Sequence, residues 1–430
     1  MTMNKRFAAC LLGAALAALY GPAGAEPGQA VPPADLPPLA AVDQVLTDQP
    51  MVRAAQAGLR AAEAQHRVLQ AGEHEFSLGL TGQQRRVSGA SNYSEWNVSL
   101  QRGLRLPGKA ALDDRIGRQG VLAAGERIGD ARHESGRQLL TLWYGARLAG
   151  LETRLWQRQA ELLQADLAVV QTRVRLGDAA RLDSLQAEAA LAQARSQAVA
   201  AEAREQAALA ELSARFPGLP APDASAAEPV TPAGDAAAWL AHTLEHNHEM
   251  LAAQRALDQA GLMARRAEAN RVPDPTVGLH VANEQGGNDR IFGVSLNLAL
   301  PGENRRAQAQ AMAAQADVLA EAVAATRRRL AAESAANWQR AVAGVASWRR
   351  LADAAEAVGR HADLARRAHE LGELGLSETL LAQRNALDAQ LAAGQARLAA
   401  NEAVARLMLD AHQLWPLGGE HEEGEDHPAP

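Results

Sequence analysis

The 430-residue sequence has a single cysteine, Cys10. No disulfide can form within one chain, so the fold must be held by packing or by assembly. Aromatic residues make up only 3 %, which excludes a core built on large rings and asks small side chains to pack at close backbone approach. After residue 25 there is no unbroken apolar run long enough for a transmembrane helix, so a membrane location there would have to come from strands. The formal net charge is −7 and the basic residues are scattered, which excludes the clustered basic footprint of a nucleic-acid-binding protein. No Ser/His/Asp constellation, phosphate loop or dinucleotide fingerprint stands out, so neither an enzyme nor a cofactor site is expected.

What is present begins with a leader. Lys5-Arg6 precede an apolar run over 7–20, Gly21-Pro22 break it, and Ala23-Gly24-Ala25 supply an A-x-A cleavage site. This reads as a secretory signal peptide over 1–25. The run is too short to span a bilayer as a helix, and Cys10 lies at its start, not after it where lipidation would need it.

The remainder is written twice. "VSLQRGLRLPGK" from Val98 is answered by "VSLNLALPGE" from Val294, and Leu176-Gly177-Asp178 by Leu371-Gly372-Glu373. Landmarks in one order at an offset of about 195 residues imply an internal duplication, too long for a solenoid repeat. The first repeat spans 26–215 and the second 235–415, joined by a Pro-rich linker over 216–234 and followed by an acidic, His-bearing tail over 416–430.

Each repeat predicts the same elements. Alanine-rich, proline-free stretches over 108–176 and 302–371 carry apolar residues on one helical stripe, as at Met312, Leu319, Val323, Leu330, Trp338 and Val342. About 69 residues at 1.5 Å rise make a rod of roughly 100 Å. Such a rod needs lateral partners along its length. Return helices over 182–214 and 377–414 supply half of that length, and helices over about 40–71 and 235–270 the other half. Between them, Phe76, Leu78 and Leu80, then Trp96, Val98 and Leu100, alternate with polar or small residues, as do Val277, Leu279 and Val281, and Phe292 through Leu300. Period two means strands with one apolar face. They form β-hairpins over 74–106 and 275–300, each strand long enough to cross a membrane when tilted. Alternation alone equally suits two hairpins packed on a soluble core. Four strands cannot close a barrel, so in a membrane other copies of the chain would have to pair the edges.

A signal peptide, two such hairpins, "LPG" leading from strand into rod at Pro107-Gly108 and Pro301-Gly302, and a tip glycine at the far end together resemble the TolC family of outer-membrane efflux factors. The resemblance implies an α+β membrane protein: a homotrimer whose hairpins, four strands per chain, build one β-barrel in the cell outer membrane, continued by a long α-helical barrel through the periplasm. It implies a passive conduit docking to a periplasmic adaptor (membrane fusion protein) and an inner-membrane RND pump. Leu176, Gly177, Leu371 and Gly372 would be the periplasmic tips that meet the adaptor. The strand-to-helix joints would be Pro107, Gly108, Pro301 and Gly302, with proline in the first helical turn and glycine lending freedom. Asp183 and Glu378, each shortly after a tip glycine, are candidate gate acids, or else helix-start acids answering the macrodipole. Gln186 and Leu381 stand where the family can carry a second acid.

The short, unlipidated chain looks most similar to the heavy-metal (CzcC-like) branch, so divalent heavy-metal cations are the expected cargo. Alternatives are drug or organic-solute efflux, a type I secretion channel, or a soluble periplasmic coiled-coil protein. "HTLEH" from His242 has the H-x-x-E-H spacing of inverted zinc peptidases, but a tunnel wall offers no dry pocket, so peptidase chemistry is not expected. His242, His246, His248, His421 and His427 are candidate metal ligands, set against solvated histidines and a polar tail.

Overall fold

The computed structural model describes residues 32–415, apart from positions 87, 90, 91 and 224–226. The expected signal peptide with Cys10, and the tail with His421 and His427, lie outside the described residues. Two helices, α1 (Leu39–Thr47) and α2 (Pro50–Ala71), lead into strands β1 (Phe76–Arg85) and β2 (Tyr93–Gly103), the long helix α3 (Lys109–Leu176) and the return helix α4 (Arg181–Arg215). The order then repeats as α5 (Ala236–His246), α6 (His248–Ala269), β3 (Thr276–Glu284), β4 (Asp289–Asn297), α7 (Glu303–Glu370) and α8 (Leu376–Asp410). Lengths repeat as well: α2 and α6 have 22 residues each, α3 and α7 have 68, and α4 and α8 have 35.

The helix expected before each hairpin is broken in two. Pro50 stands at the start of α2, where its missing N–H ends the ladder of the preceding helix. Asn247 takes an extended backbone between α5 and α6, and its side chain accepts from the Met250 amide at 2.9 Å. The rods are partnered along their length as their length demands. α2 and α6 pack on the starting part of α3 while α4 lies along its second part, and α8 runs along α7 and also touches α3.

The best-buried packing sits at mid-rod. Val42, Leu46, Leu139, Leu140, Trp143, Tyr144, Phe216 and Leu409 share one cluster; a second gathers Trp239, Ala341, Val345, Val404 and Met408. Fully buried Ala341 and Ala405 show how small side chains bring helices together. A buried polar node fixes this level. Asp35 accepts from the Tyr144 hydroxyl (2.9 Å) and from Asn401 Nδ2 (3.0 Å), and its carbonyl accepts from Trp143 Nε1 (2.8 Å). Asn401 also donates to the Ala227 carbonyl at 2.9 Å, so the Pro-rich linker is tied into the same node.

The four strands form one antiparallel sheet in the order β1-β2-β3-β4. β4 stops at Asn297, so Leu298 and Leu300 of the expected strand fall outside it. The joints also differ from expectation. Pro107 and Pro301 stand before the helix caps, not in the first turn, and a proline disfavours helical backbone in the residue before it. Gly108 needs its left-handed φ of +87°, whereas Gly302 has an ordinary extended φ of −129°, so only the first joint requires glycine.

The first joint is locked to the second half. Lys109, only 3 % exposed, donates to the Val272 carbonyl and to Asp274 Oδ1, both at 2.7 Å. Asp274 also accepts from the Leu106 amide (3.0 Å), and its other oxygen meets His74 Nε2 at 2.9 Å. Next to it Arg105 donates to the last carbonyls of α2, at Leu69 and Gln70 (2.8 and 2.7 Å). Asp113 joins Arg105 and Arg266 at 3.0 and 2.6 Å. Burial pushes the Asp274 carboxyl up, but the hydrogen bonds from Lys109, His74 and the Leu106 amide outweigh it and hold it down at about 2.

Asp274→Asn would leave the Lys109 ammonium buried without a counter-charge and should cost about 3 kcal/mol. Because the folded carboxyl titrates below its unfolded value, its contribution is complete above pH of about 4 and is lost as pH falls through about 2. Denaturant unfolding across that window should therefore show a steeper acid loss in the parent than in the variant.

Candidate functional site

The sheet register sorts the side chains cleanly. Leu78 pairs with Leu100 and Leu80 with Val98; Leu100 pairs with Leu279 and Val98 with Val281; Leu279 pairs with Val294, Val281 with Phe292 and Val277 with Leu296. These residues share one face, because side chains two apart along a strand point the same way. Among the described residues no helix covers that face: Leu80 and Phe292 are each 73 % exposed and Val294 72 %. The hairpins therefore do not pack this face on a core formed by the described residues. The opposite face is mostly polar or small, with Ser77, Thr81, Ser99, Gln101, His280 and Ser295, though Ile291 also lies on it. There the buried Glu95 accepts from Gln83 (2.8 Å) and the Gln285 amide (3.2 Å) and pairs with Arg85 (2.9 Å), which also reaches Glu284 (3.0 Å). Within the chain β1 and β4 are the sheet's edges.

At the opposite end both rods stop in the same way. Gly177 (φ +82°) and Gly372 (φ +80°) are left-handed. The Gly177 and Asp178 amides donate back to Val174 and Arg173, and those of Gly372 and Glu373 to His369 and Ala368. This double bond pattern satisfies the last carbonyls and favours glycine at the left-handed position. Leu176 and Leu371, the residues just before the glycines, are each 71 % exposed. The two tips are tied together by Arg173, which donates to the His369 carbonyl at 3.2 Å. Asp183 and Glu378 are the third residues of α4 and α8, and each carboxylate accepts at 3.2 Å from the capping residue's amide, Ala180 or Gly375. Both acids thus serve as helix caps. Gln186 accepts from Ser377 Oγ at 3.0 Å, linking α4 to α8.

A histidine cluster occupies the mid-rod level. On α5, His242, Glu245 and His246 bring their ligating atoms within 4.8 Å of one another. His248 opens α6, and two histidines far away in sequence join it. His133 of α3 stacks on His412, which follows α8, with ring centres 5.3 Å apart; His412 lies 5.0 Å from His248 and 6.5 Å from His246. Burial, with Arg137 beside His133 and the other histidines around His412, pushes both down to about 3, and burial with His246 alongside lowers His242. The His133 and His412 rings are therefore uncharged at neutral pH. Spacing reveals His242, His246 and His248 in the sequence, but nothing local marks His133 or His412, which only the helix packing brings to them.

No family profile and no curated protein matches the chain. Solved structures do. The outer-membrane channel OprN superposes with a TM-score of 0.73 at 18 % identity, over 86 % of this chain and 89 % of that one. The Campylobacter jejuni outer-membrane channel CmeC gives 0.71 at 13 % identity, over 87 % and 85 %. CusC, whose structures describe transmembrane channel formation, gives 0.68 at 16 % identity, over 92 % and 95 %. The chain therefore has, over nearly its whole described length, the fold of outer-membrane channel proteins.

Proposed function

We propose that this chain is the outer-membrane channel component of a tripartite, RND-type efflux system and a TolC-like protein, assembled as a homotrimer. The observation that carries the reading is the sheet, with one continuous exposed apolar face, a largely polar opposite face and two edges without a partner strand among the described residues. In hydrocarbon such a sheet is satisfied only by closure, and three copies give twelve strands, a permitted barrel size. The repeated element order supports an internal duplication, and the paired rods support a helical tunnel below the barrel. No residue in this reading performs covalent chemistry; transport is driven by the partners.

The exposed Leu176 and Leu371 beside their rigid glycine turns present an apolar contact to a periplasmic adaptor. Asp183 and Glu378 supply six carboxylates in a trimer, and like charges gathered round one axis attract cations. Divalent heavy-metal cations are the inferred cargo, on the resemblance to the CzcC-like branch. Deletion should therefore lower tolerance to zinc, cobalt or cadmium and leave tolerance to detergents unchanged; the reverse pattern would assign organic solutes instead.

In detergent the purified protein should have the mass of three chains, and a stable monomer with full β content would end the barrel reading. Leu296→Arg places a charge on the apolar face at a cost of roughly 2–4 kcal/mol near a bilayer midplane and should abolish the trimer on native gels. Its neighbour Ser295→Arg, on the polar face, should assemble. Equal behaviour of the two would show that the faces do not divide lipid from lumen.

The gate acids are tested with Asp183→Asn and Glu378→Gln together. Each amide can still accept the capping hydrogen bond, so the charge is removed while the helix start is kept. Planar-bilayer recordings should show reduced cation selectivity, most marked at low salt because screening shortens to about 3 Å at 1 M. Unchanged selectivity at low salt would leave these acids as caps alone.

A further inference from the structure

We propose that His242, His246, His248 and His412 bind one divalent transition-metal ion of borderline softness, of the zinc class, within the helical wall where α5 and α6 meet the turn after α8. The inference is independent of the transport reading, because the ion is a resident tie between elements and not cargo.

Two of the three ring spacings match those of imidazoles on a shared ion, and the third, between His246 and His412, must shorten on binding. Imidazoles bound tetrahedrally to one ion through bonds of about 2.0–2.1 Å have ring centres about 5 Å apart. Here the separations are 4.5 Å for His242 with His246, 5.0 Å for His248 with His412, and 6.5 Å for His246 with His412.

The hydrogen bonds prepare the nitrogens. His248 Nδ1 donates to Glu126 Oε2 at 2.8 Å, which leaves Nε2 as the lone-pair nitrogen. That Nε2 is buried and meets no hydrogen-bond partner in a residue only 8 % exposed, and His412 Nε2 is likewise buried without one. His246 Nδ1 donates to the His242 carbonyl at 3.1 Å and frees its own Nε2. A carboxylate holding one imidazole nitrogen while the other faces a metal is the usual outer support of a histidine ligand. His133 is a positioning residue: its Nε2 faces the Leu409 carbonyl at 3.0 Å while its ring lies flat on His412.

Two backbone features hold the site at a cost that packing alone does not require. The turn after α8 repeats the bond pattern of the tips, with the His412 amide to Leu409 and the Gln413 amide to Met408. Where the tips carry Gly177 and Gly372, this turn carries His412 at φ +55°. A histidine in a left-handed position that glycine fills elsewhere points to a use for its side chain. In α3, a Cβ on Gly129 would come within 2.3 Å of His248 Cδ2, so glycine there makes room for the ring.

The test uses the full chain in detergent, stripped with chelator and titrated with zinc. One zinc per chain should bind, with cobalt in its place giving the intense visible bands of tetrahedral nitrogen coordination. His248→Ala should weaken binding at least about tenfold, and Glu126→Gln, one step further out, about 10-fold to 100-fold. The tail variant His421→Ala with His427→Ala should bind as the parent does. His412→Gly is decisive because its two effects have opposite signs. Glycine suits the left-handed turn, so the zinc-free melting temperature should hold or rise, while the zinc-induced increase should vanish. Zinc binding that survives in both His248→Ala and His412→Gly, or that disappears with the tail histidines, would overturn the site.

Discussion

The amides along the outer edges of β1 and β4 have no partner strand among the described residues, and the rest of the design follows from where they find one. A sheet that is apolar on one face and polar on the other separates two environments, but an open edge cannot lie in hydrocarbon. Placed in hydrocarbon, the strands would be unfinished as a single chain. Below them the packing is the reverse. The rods bury their stripes against α2, α4, α6 and α8, and the mid-rod clusters form complete cores within one copy. The lower part of the chain is packed within one copy, while the sheet above it keeps two open edges.

Much of this was legible in the sequence because two periods carry it. Alternation at Phe76 to Leu80 and Phe292 to Leu296 placed the strands and their apolar face, and the apolar stripe with the absence of proline placed both rods to within a residue or two. The tip glycines were legible for a local reason, since a left-handed cap asks for glycine whatever surrounds it. Other features depend on contacts that no local pattern records. The breaks at Pro50 and Asn247 sit within otherwise helical stretches. Pro107 and Pro301 suited a first helical turn equally well, and only the backbone around Gly108 and Gly302 puts them outside it. Whether Asp183 and Glu378 capped helices or lined a gate was open from spacing. Their bonds to the Ala180 and Gly375 amides show the capping role. The histidine cluster was half visible, because His242 and His246 are one helical turn apart, whereas His133 and His412 arrive from elements far apart along the chain.

The repetition belongs to the backbone more than to the side chains. Elements recur at matched lengths and both rods end in the same turn, yet the polar networks are written once. Glu303 starts α7 exposed and paired with Arg306, where Lys109 starts α3 buried in its web of acceptors. The Asp35 node and the histidine cluster each draw on both halves and have no second copy among the described residues. Backbone geometry thus supplies a symmetric frame, and single-copy polar contacts break the equivalence of its two halves.

The Lys109 to Asp274 bridge joins positions 165 apart. As the chain is synthesised, the ammonium that begins the first rod is complete long before its counter-charge exists, and β2 waits as long for β3. A chain stopped at the end of α4 would carry a stranded charge at its joint and an unzipped strand beside it. The halves resemble each other as if interchangeable, but neither is a module. The first is a template that only the second can close, so any shortening, permutation or recombination that parts them severs the joint and the sheet together.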